Sequence, residues 1–167
     1  MTEIRTDRLL LRPARPDDLA AFHEVLSHPE ATRYWSTPPH ESIDVTRRWL
    51  APMIASPPEL AEDFVVEFGG RVVGKAGFYR LPEVGYILHP DVWGRGLGRE
   101  AVAATIAHVW RVRPEIQVLT ADVDPRNEVS LKLLKGLGFV ETGYEANTFL
   151  TPGGWADSQY LELKRPA

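Results

Sequence analysis

One stretch constrains this chain more than any other: Ile87-Leu88-His89-Pro90-Asp91-Val92-Trp93-Gly94-Arg95-Gly96-Leu97-Gly98-Arg99-Glu100-Ala101. An apolar strand runs into a glycine-rich turn that holds two arginines, and an amphipathic helix follows at once. That order suits a diphosphate at a helix N-terminus, where unpaired backbone N–H groups point outward and the helix dipole favours negative charge. Glycines let the backbone approach an anion without interference from Cβ. The turn is not a P-loop, because no Gly-Lys-Ser/Thr follows. It is not a dinucleotide fingerprint either, because the strands before it read as a meander rather than as a strand–helix–strand unit. A strand-to-helix connection without a ligand is the plain alternative.

The flanking pattern fits an α+β domain spanning residues 1–167. Leu9-Leu10-Leu11-Arg12-Pro13 reads as a first strand, and Pro16-Asp17-Asp18 opens a helix that runs to about Leu26. Residues 27–39 are irregular. Ser42 to Ile54 is helical, with Ile43, Val45, Trp49, Leu50 and Met53 available for burial, and Ser56-Pro57-Pro58 stops it. Phe64–Phe68, Arg71–Tyr79 and Glu83–Leu88 form an antiparallel meander around a Gly69-Gly70 hairpin turn and a Leu81-Pro82 connection. Gly98 to Val112 is a helix with Val102, Thr105, Ile106, Val109 and Arg113 on one face. Gln117–Val123 is a strand, and Asp124–Gly136 a helix with Asp124 as N-cap and Pro125 in first position. Phe139–Tyr144 and Ser158–Leu163 close the sheet, with a Gly153-Gly154 turn between them.

Composition removes several classes of function. With no cysteine there are no disulfides, thiolate metal sites or cysteine nucleophile. A net charge of -4 argues against general nucleic-acid affinity, which rests on neutralising phosphates. No apolar run approaches the roughly 18 residues needed to span a bilayer, and the first residues lack the apolar core of a signal peptide. A cytoplasmic location, without membrane or nucleic-acid partners, is expected. His23, His28, His40, His89 and His108 show no metal-ligand spacing, so no metal is expected.

Three segments in order resemble the Gcn5-related N-acetyltransferase superfamily, in its RimJ/RimL-like branch. Thr6-Asp7-Arg8-Leu9-Leu10-Leu11-Arg12-Pro13 is similar to the opening strand of that branch. Gly85-Tyr86-Ile87-Leu88-His89-Pro90 with Trp93 to Ala101 is similar to its fourth strand and pyrophosphate loop. Asp124-Pro125-Arg126-Asn127-Glu128-Val129-Ser130, with Leu134, Lys135, Gly138 and Phe139, resembles its closing motif. The resemblance implies a mixed, mostly antiparallel sheet with splayed central strands flanked by helices, and an acetyl-CoA site. Ile87 and Leu88 would pair through their backbone with the pantetheine chain. Backbone N–H groups from Arg95, Gly96, Leu97, Gly98 and Arg99 would meet the pyrophosphate, the Arg95 and Arg99 side chains adding charge. Asn127 would bond the pantetheine region, and Ser130 would stand near the thioester sulfur. The superfamily usually has Gln or Arg where Trp93 stands, but Trp is familiar in this branch.

The reaction so implied is direct attack of a primary amine on the thioester, with no covalent enzyme intermediate. Two departures bear on it. Many members carry an acidic Tyr where Leu134 stands, which leaves Ser130 or water to protonate the thiolate. Some members of the branch carry a glutamate where this chain reads Ala146-Asn147-Thr148-Phe149. The amine must lose a proton, and Glu83, Glu67 and Asp122 are the candidate bases. Tyr34 and Trp35, in a loop, are the expected acceptor-binding residues, with Phe78, Tyr86 and Trp155 as further aromatics. The acceptor is expected to be a protein N-terminus or a small amine, and the protein a monomer or homodimer. A non-catalytic acyl-CoA-binding domain, or an enzyme for longer acyl groups, is the rival reading.

Overall fold

The computed structural model describes residues 2–57, 62–151 and 153–167, which build, besides two short 3-10 turns, eight β-strands and four α-helices. They are β1 (Ile4–Arg5), β2 (Leu9–Arg12), α1 (Leu19–Leu26), α2 (Ile43–Ala55), β3 (Glu62–Phe68), β4 (Arg71–Arg80), β5 (Glu83–Leu88), α3 (Leu97–Val112), β6 (Val118–Val123), α4 (Glu128–Gly136), β7 (Val140–Thr151) and β8 (Gly154–Lys164). The strands form one mixed sheet in the order β1-β2-β3-β4-β5-β6-β8-β7. Every pairing is antiparallel except β5 with β6. The fold is α+β, as expected. No helix among the described residues is long and apolar enough to cross a membrane.

Local chemistry explains the framework. Gly69 and Gly70 both take positive φ (59° and 77°), as the tight β3–β4 hairpin requires. Two apolar clusters cover opposite faces of the sheet. One joins α1 and α2 to the sheet through Phe22, Val25, Leu26, Leu50, Met53, Val65 and Ile87. The other joins α3 and α4 to it through Leu88, Leu97, Val102, Val109, Leu119, Leu134 and Leu161. Each fully buried side chain of this size stabilises the fold by about 1.5–3 kcal/mol.

Several boundaries differ from the sequence reading. A short β1 precedes the expected first strand. Ile43 is exposed rather than buried, because α2 turns Thr46, Leu50 and Met53 inward. The helix stops at Ala55; Pro58, part of the expected stop, lies outside the described residues. Arg113 is the C-cap of α3 and not a member of its buried face. The last helix starts at Glu128, capped by Asn127 rather than Asp124. The closing hairpin is far longer than expected, with β7 reaching Thr151 and β8 starting at Gly154.

Candidate active site

The sheet opens between β5 and β6. Their parallel ladder holds one pair, Glu83 with Thr120, secured where Thr120 N–H donates to the Pro82 carbonyl at 3.0 Å. Beyond it the strands part, while β5 stays paired to β4 as far as Leu88. The cleft at this fork has a volume of about 1860 Å³ and is lined by both sheet faces and the α3 N-terminus. Single-ligand pockets usually run to about 1,000 Å³, so this one has room for two reactants.

Strand alternation assigns each β5 residue to a side. Ile87 packs with α1 and α2, so Glu83 and Gly85 share that face. Tyr86 and Leu88 pack toward α3 and α4. The backbone parity corrects one expectation. A Cβ on Gly74 would stand 2.0 Å from the Ile87 carbonyl oxygen, so the backbone groups of Ile87 face β4. The edge turned to the gap is that of Val84, Tyr86 and Leu88. The Leu88 carbonyl there already accepts from Trp93 Nε1 at 2.9 Å.

The loop has the build an anion needs. Gly96 is the N-cap of α3 in a left-handed conformation (φ 75°), and among the described residues no side chain caps the first turn, which leaves its N–H groups to a ligand. Leu97 is buried and offers only its backbone. Gly98 and Arg99 line the cleft. Arg95 does not line it, because its guanidinium lies over the Phe68 ring, 4.7 Å from the centroid. The loop is held from behind. Arg8 donates to Glu100 Oε2 (2.7 Å) and to the Arg95 carbonyl (2.8 Å), and Thr6 donates to Glu100 Oε1 (2.5 Å). Burial works against the charge on Glu100, but the bonds from Thr6 and Arg8 outweigh it and hold this carboxyl below the usual range.

On the α3/α4 side stand two hydroxyls. Tyr86 donates to Ser130 Oγ at 2.8 Å, beside the buried Leu134. Burial pushes the Tyr86 hydroxyl up, so it keeps its proton and remains a donor, although the bond to Ser130 opposes the shift. Asn127 Oδ1 accepts from Ser130 N–H at 3.2 Å, which fixes the first turn of α4 and leaves the Asn127 amide N–H groups toward the cleft.

On the other side stand carboxylates. Glu83 and Asp122 both line the gap. Partial desolvation raises Glu83, the charge of Asp122 raises it further, and Arg80 opposes both. Desolvation also raises Asp122, aided by Glu145 and opposed by a hydrogen bond with Ser158. Glu67 is excluded from the site, since it binds Arg12 Nε at 2.5 Å away from the cleft.

Tyr34 and Trp35 line the same face of the cleft, with Trp49. Phe78 is core (0% exposed), and Trp155 lies outside the cleft. Sequence reasoning missed Asp63 and Lys75, a buried pair at 2.6 Å in the cleft wall. Desolvation raises the Asp63 carboxyl, with Lys75 pulling the other way. No sequence motif marks them; only the β3–β4 register brings them together. Most of the histidines are structural: His23 and His40 share Thr46 Oγ1, and His108 pairs with Glu62.

Residues 8–140 match the family model described as an acetyltransferase (GNAT) domain. The chain is 30% identical over 153 residues to an uncharacterized N-acetyltransferase p20 of Bacillus licheniformis, covering 86% of this chain and 85% of the relative. It is 30% identical over 170 residues to the L-amino acid N-acyltransferase MnaT of Escherichia coli, covering 92% of each. In fold it matches a RimL ribosomal L7/L12 alpha-N-protein acetyltransferase solved with coenzyme A, at a TM-score of 0.85, 19% identity and 98% coverage of both chains.

Proposed function

The chain belongs to the GNAT acetyltransferase family and is an acetyl-CoA-dependent N-acetyltransferase, and from that premise we propose how it divides the work and which acceptors it takes. Bound acetyl-CoA supplies the activated acetyl group. The amides of Gly96 to Arg99, with the Arg99 guanidinium, hold the diphosphate. The free β5 edge at Tyr86, with the Leu88 N–H and the Asn127 amide, orients the pantetheine arm. Glu83 and Asp122 accept the proton of the incoming amine; their raised pKa values make them better bases than ordinary carboxylates. Ser130, backed by Tyr86, gives a proton to the departing thiolate, so this pair takes the part that Leu134 cannot.

The observation that carries this reading is the partition of the fork, with carboxylates on one face of the gap and hydroxyls on the other. A base and an acid must stand on opposite sides of the bond being exchanged. The acceptor is a primary amine on a small, largely apolar body. MnaT is named for L-amino acids and RimL for a protein N-terminus, and the aromatic wall of Tyr34, Trp35 and Trp49 favours the small molecule.

The test is calorimetric titration with acetyl-CoA, followed by CoA release measured over a panel of small amines and short peptides. Micromolar binding, and turnover that falls at least about tenfold in Ser130→Ala and in Glu83→Gln, is expected. Binding without turnover on any amine would return the chain to a non-catalytic role. Full turnover in both variants would remove those residues from the mechanism.

A further inference from the structure

Asp63, Lys75 and the indole N–H of Trp35 have no role in the acetyl transfer described above, yet all three residues line the acceptor side of the cleft. Lys75 pairs with Ile87 in the ladder, and Asp63 lies on the same face of β3, so both side chains stand beside Gly77 and Gly85. Those two glycines are cross-strand partners, and nothing lies within 4 Å of the point where a Cβ on Gly85 would stand. Gly85 leaves a bare patch of sheet that leads to the β5–β6 gap, whereas Gly77 is buried against Glu62 and Asp63 of β3.

The polar groups around the patch are not filled. The Asp63 side chain is 4% exposed. Its Oδ2 accepts from Lys75, whereas its Oδ1 meets no partner in hydrogen-bonding geometry among the described residues, although the Phe64 amide lies close enough to lower the carboxyl's pKa. The buried Trp35 Nε1 is likewise without an acceptor among the described residues. Lys75, whose ammonium lies 5.8 Å from the Trp35 ring centroid, has three N–H donors and gives one to Asp63. Buried donors and acceptors left unmet are unfavourable. The set therefore asks for a ligand that brings two acceptor oxygens and one donor. Lys75 and Asp63 cancel in charge, so a zwitterion suits them better than a lone cation or a lone anion.

Resting on the acetyl-transfer reading, we propose that Lys75, Trp35 and Asp63 form a carboxylate-recognising subsite, and that the acceptor is a free α-amino acid with an apolar side chain. Its carboxylate accepts from Lys75 and Trp35, its amino group passes Asp63 on the way to the gap over Gly85, and its side chain lies against Tyr34 and Trp49. A plain alkylamine leaves the Trp35 and Lys75 donors unmet. A peptide N-terminus brings one neutral carbonyl where the site offers a cation.

The experiment compares matched acceptors built on leucine, methionine and phenylalanine: the L-amino acid, its carboxamide and its decarboxylated amine. In at least one series kcat/KM for the acid should exceed both others by about tenfold or more, since a site built to bond a group rejects analogues that lack it. Trp35→Phe keeps an aromatic ring and the Lys75–Asp63 pair but removes the N–H; Lys75→Met removes the charge. Each should raise KM for the acid and bring its advantage toward one, with acetyl-CoA affinity as the control for folding. Equal or better use of the amines and carboxamides in all three series overturns the subsite, as does an equal loss on all acceptors in both variants. Absence of product from every acceptor, with acetyl-CoA bound, counts instead against acetyl transfer. Titration of the amino acids into the CoA complex then reads the subsite alone, and no binding there overturns it.

Discussion

Gly96→Ala and Gly98→Ala separate backbone strain from helix propensity within one loop. Gly96 sits at φ 75° and ψ 7°, where a residue with a Cβ loses about 1–2 kcal/mol. Alanine also narrows the unfolded ensemble, which returns about 0.4–1 kcal/mol. The nearest atom to a new Cβ is Arg8 Nη2 at 3.6 Å, an ordinary contact that adds no clash. The net loss is about 1 kcal/mol, or a fall in Tm of about 2–4 °C for a chain of this length. Gly98 is helical, and alanine there gains up to about 1 kcal/mol. Its Cβ would stand 3.4 Å from Leu133 Cδ1 and 3.7 Å from Leu88 Cδ1 and Tyr86 Cε2, all ends of side chains that can shift. Gly98→Ala should therefore hold or raise Tm. Differential scanning calorimetry, run without ligand and then with acetyl-CoA, reads both quantities. Gly96→Ala should lose part of its acetyl-CoA-induced rise in Tm, because the left-handed cap aims the first amides. Gly98→Leu, whose side chain must enter the cleft, should fold yet lose that rise altogether. Equal Tm values for the two alanine variants would refute the strain argument, and an undiminished acetyl-CoA response in Gly98→Leu would remove the loop from the cofactor site.

Three further outcomes follow from the site. Tyr86→Phe should cut kcat by about 10–100-fold at unchanged acetyl-CoA affinity, and Tyr86→Phe/Ser130→Ala should be no worse than Ser130→Ala; additive losses in stopped-flow single turnover would show that the hydroxyls act separately. The acid limb of kcat/KM should lie above the ordinary glutamate value of about 4.3, because a raised carboxyl loses its basic form as pH falls through that raised value; Asp122→Asn removes a charge that lifts Glu83, so the limb should move down in pH, and an upward shift would sink the coupling. Glu100 is held low, so its contribution to stability is present above the unfolded pKa and lost as pH falls through the folded one; Glu100→Gln should lower Tm at pH 7 and make little difference near pH 3, and an equal loss at both would show that its charge is irrelevant.

What the sequence displays is local. The glycine loop and α3 were readable because turn chemistry and helical periodicity coincide there, and Gly69-Gly70 because a tight hairpin needs two positive φ angles. The start of α4 was not, since Asp124 and Asn127 are both good caps. Only the structure shows that Arg126 folds back on Asp124, with its backbone N–H at 2.9 Å and Nη2 at 2.6 Å, and leaves Asn127 to cap. The outer half of β7 was missed because it is a sheet edge exposed on most of its length, so no apolar alternation marks it, and a register shift with Asn147 at φ 54° interrupts it. Glu83, Asp122 and Ser130 were named from type and position, but that two face one side and the third the other is a property of register.

Parity in β5 is therefore as much part of the site as any side chain. A slip of one residue would turn Glu83 toward α3 and Tyr86 toward the acceptor face. The features that prevent it look like scaffold: the Thr120–Pro82 bond at the fork, the Trp93 bond to Leu88, and the close approach of β4, where a Cβ on Gly74 would stand 2.0 Å from the Ile87 carbonyl oxygen and 3.0 Å from Leu88 Cα. Both obstacles are backbone, so no rotamer change relieves them, and φ at Gly74 is 147°. Gly74→Ala must push β5 away from β4. Overpacking of this kind costs about 1–3 kcal/mol, or about 2–12 °C in Tm. More tellingly, turnover should fall further than acetyl-CoA affinity, because Glu83 and Tyr86 move with β5 while the α3 loop stays tied to Arg8. Wild-type turnover in a folded Gly74→Ala protein would mean that the position of β5 does not set the chemistry.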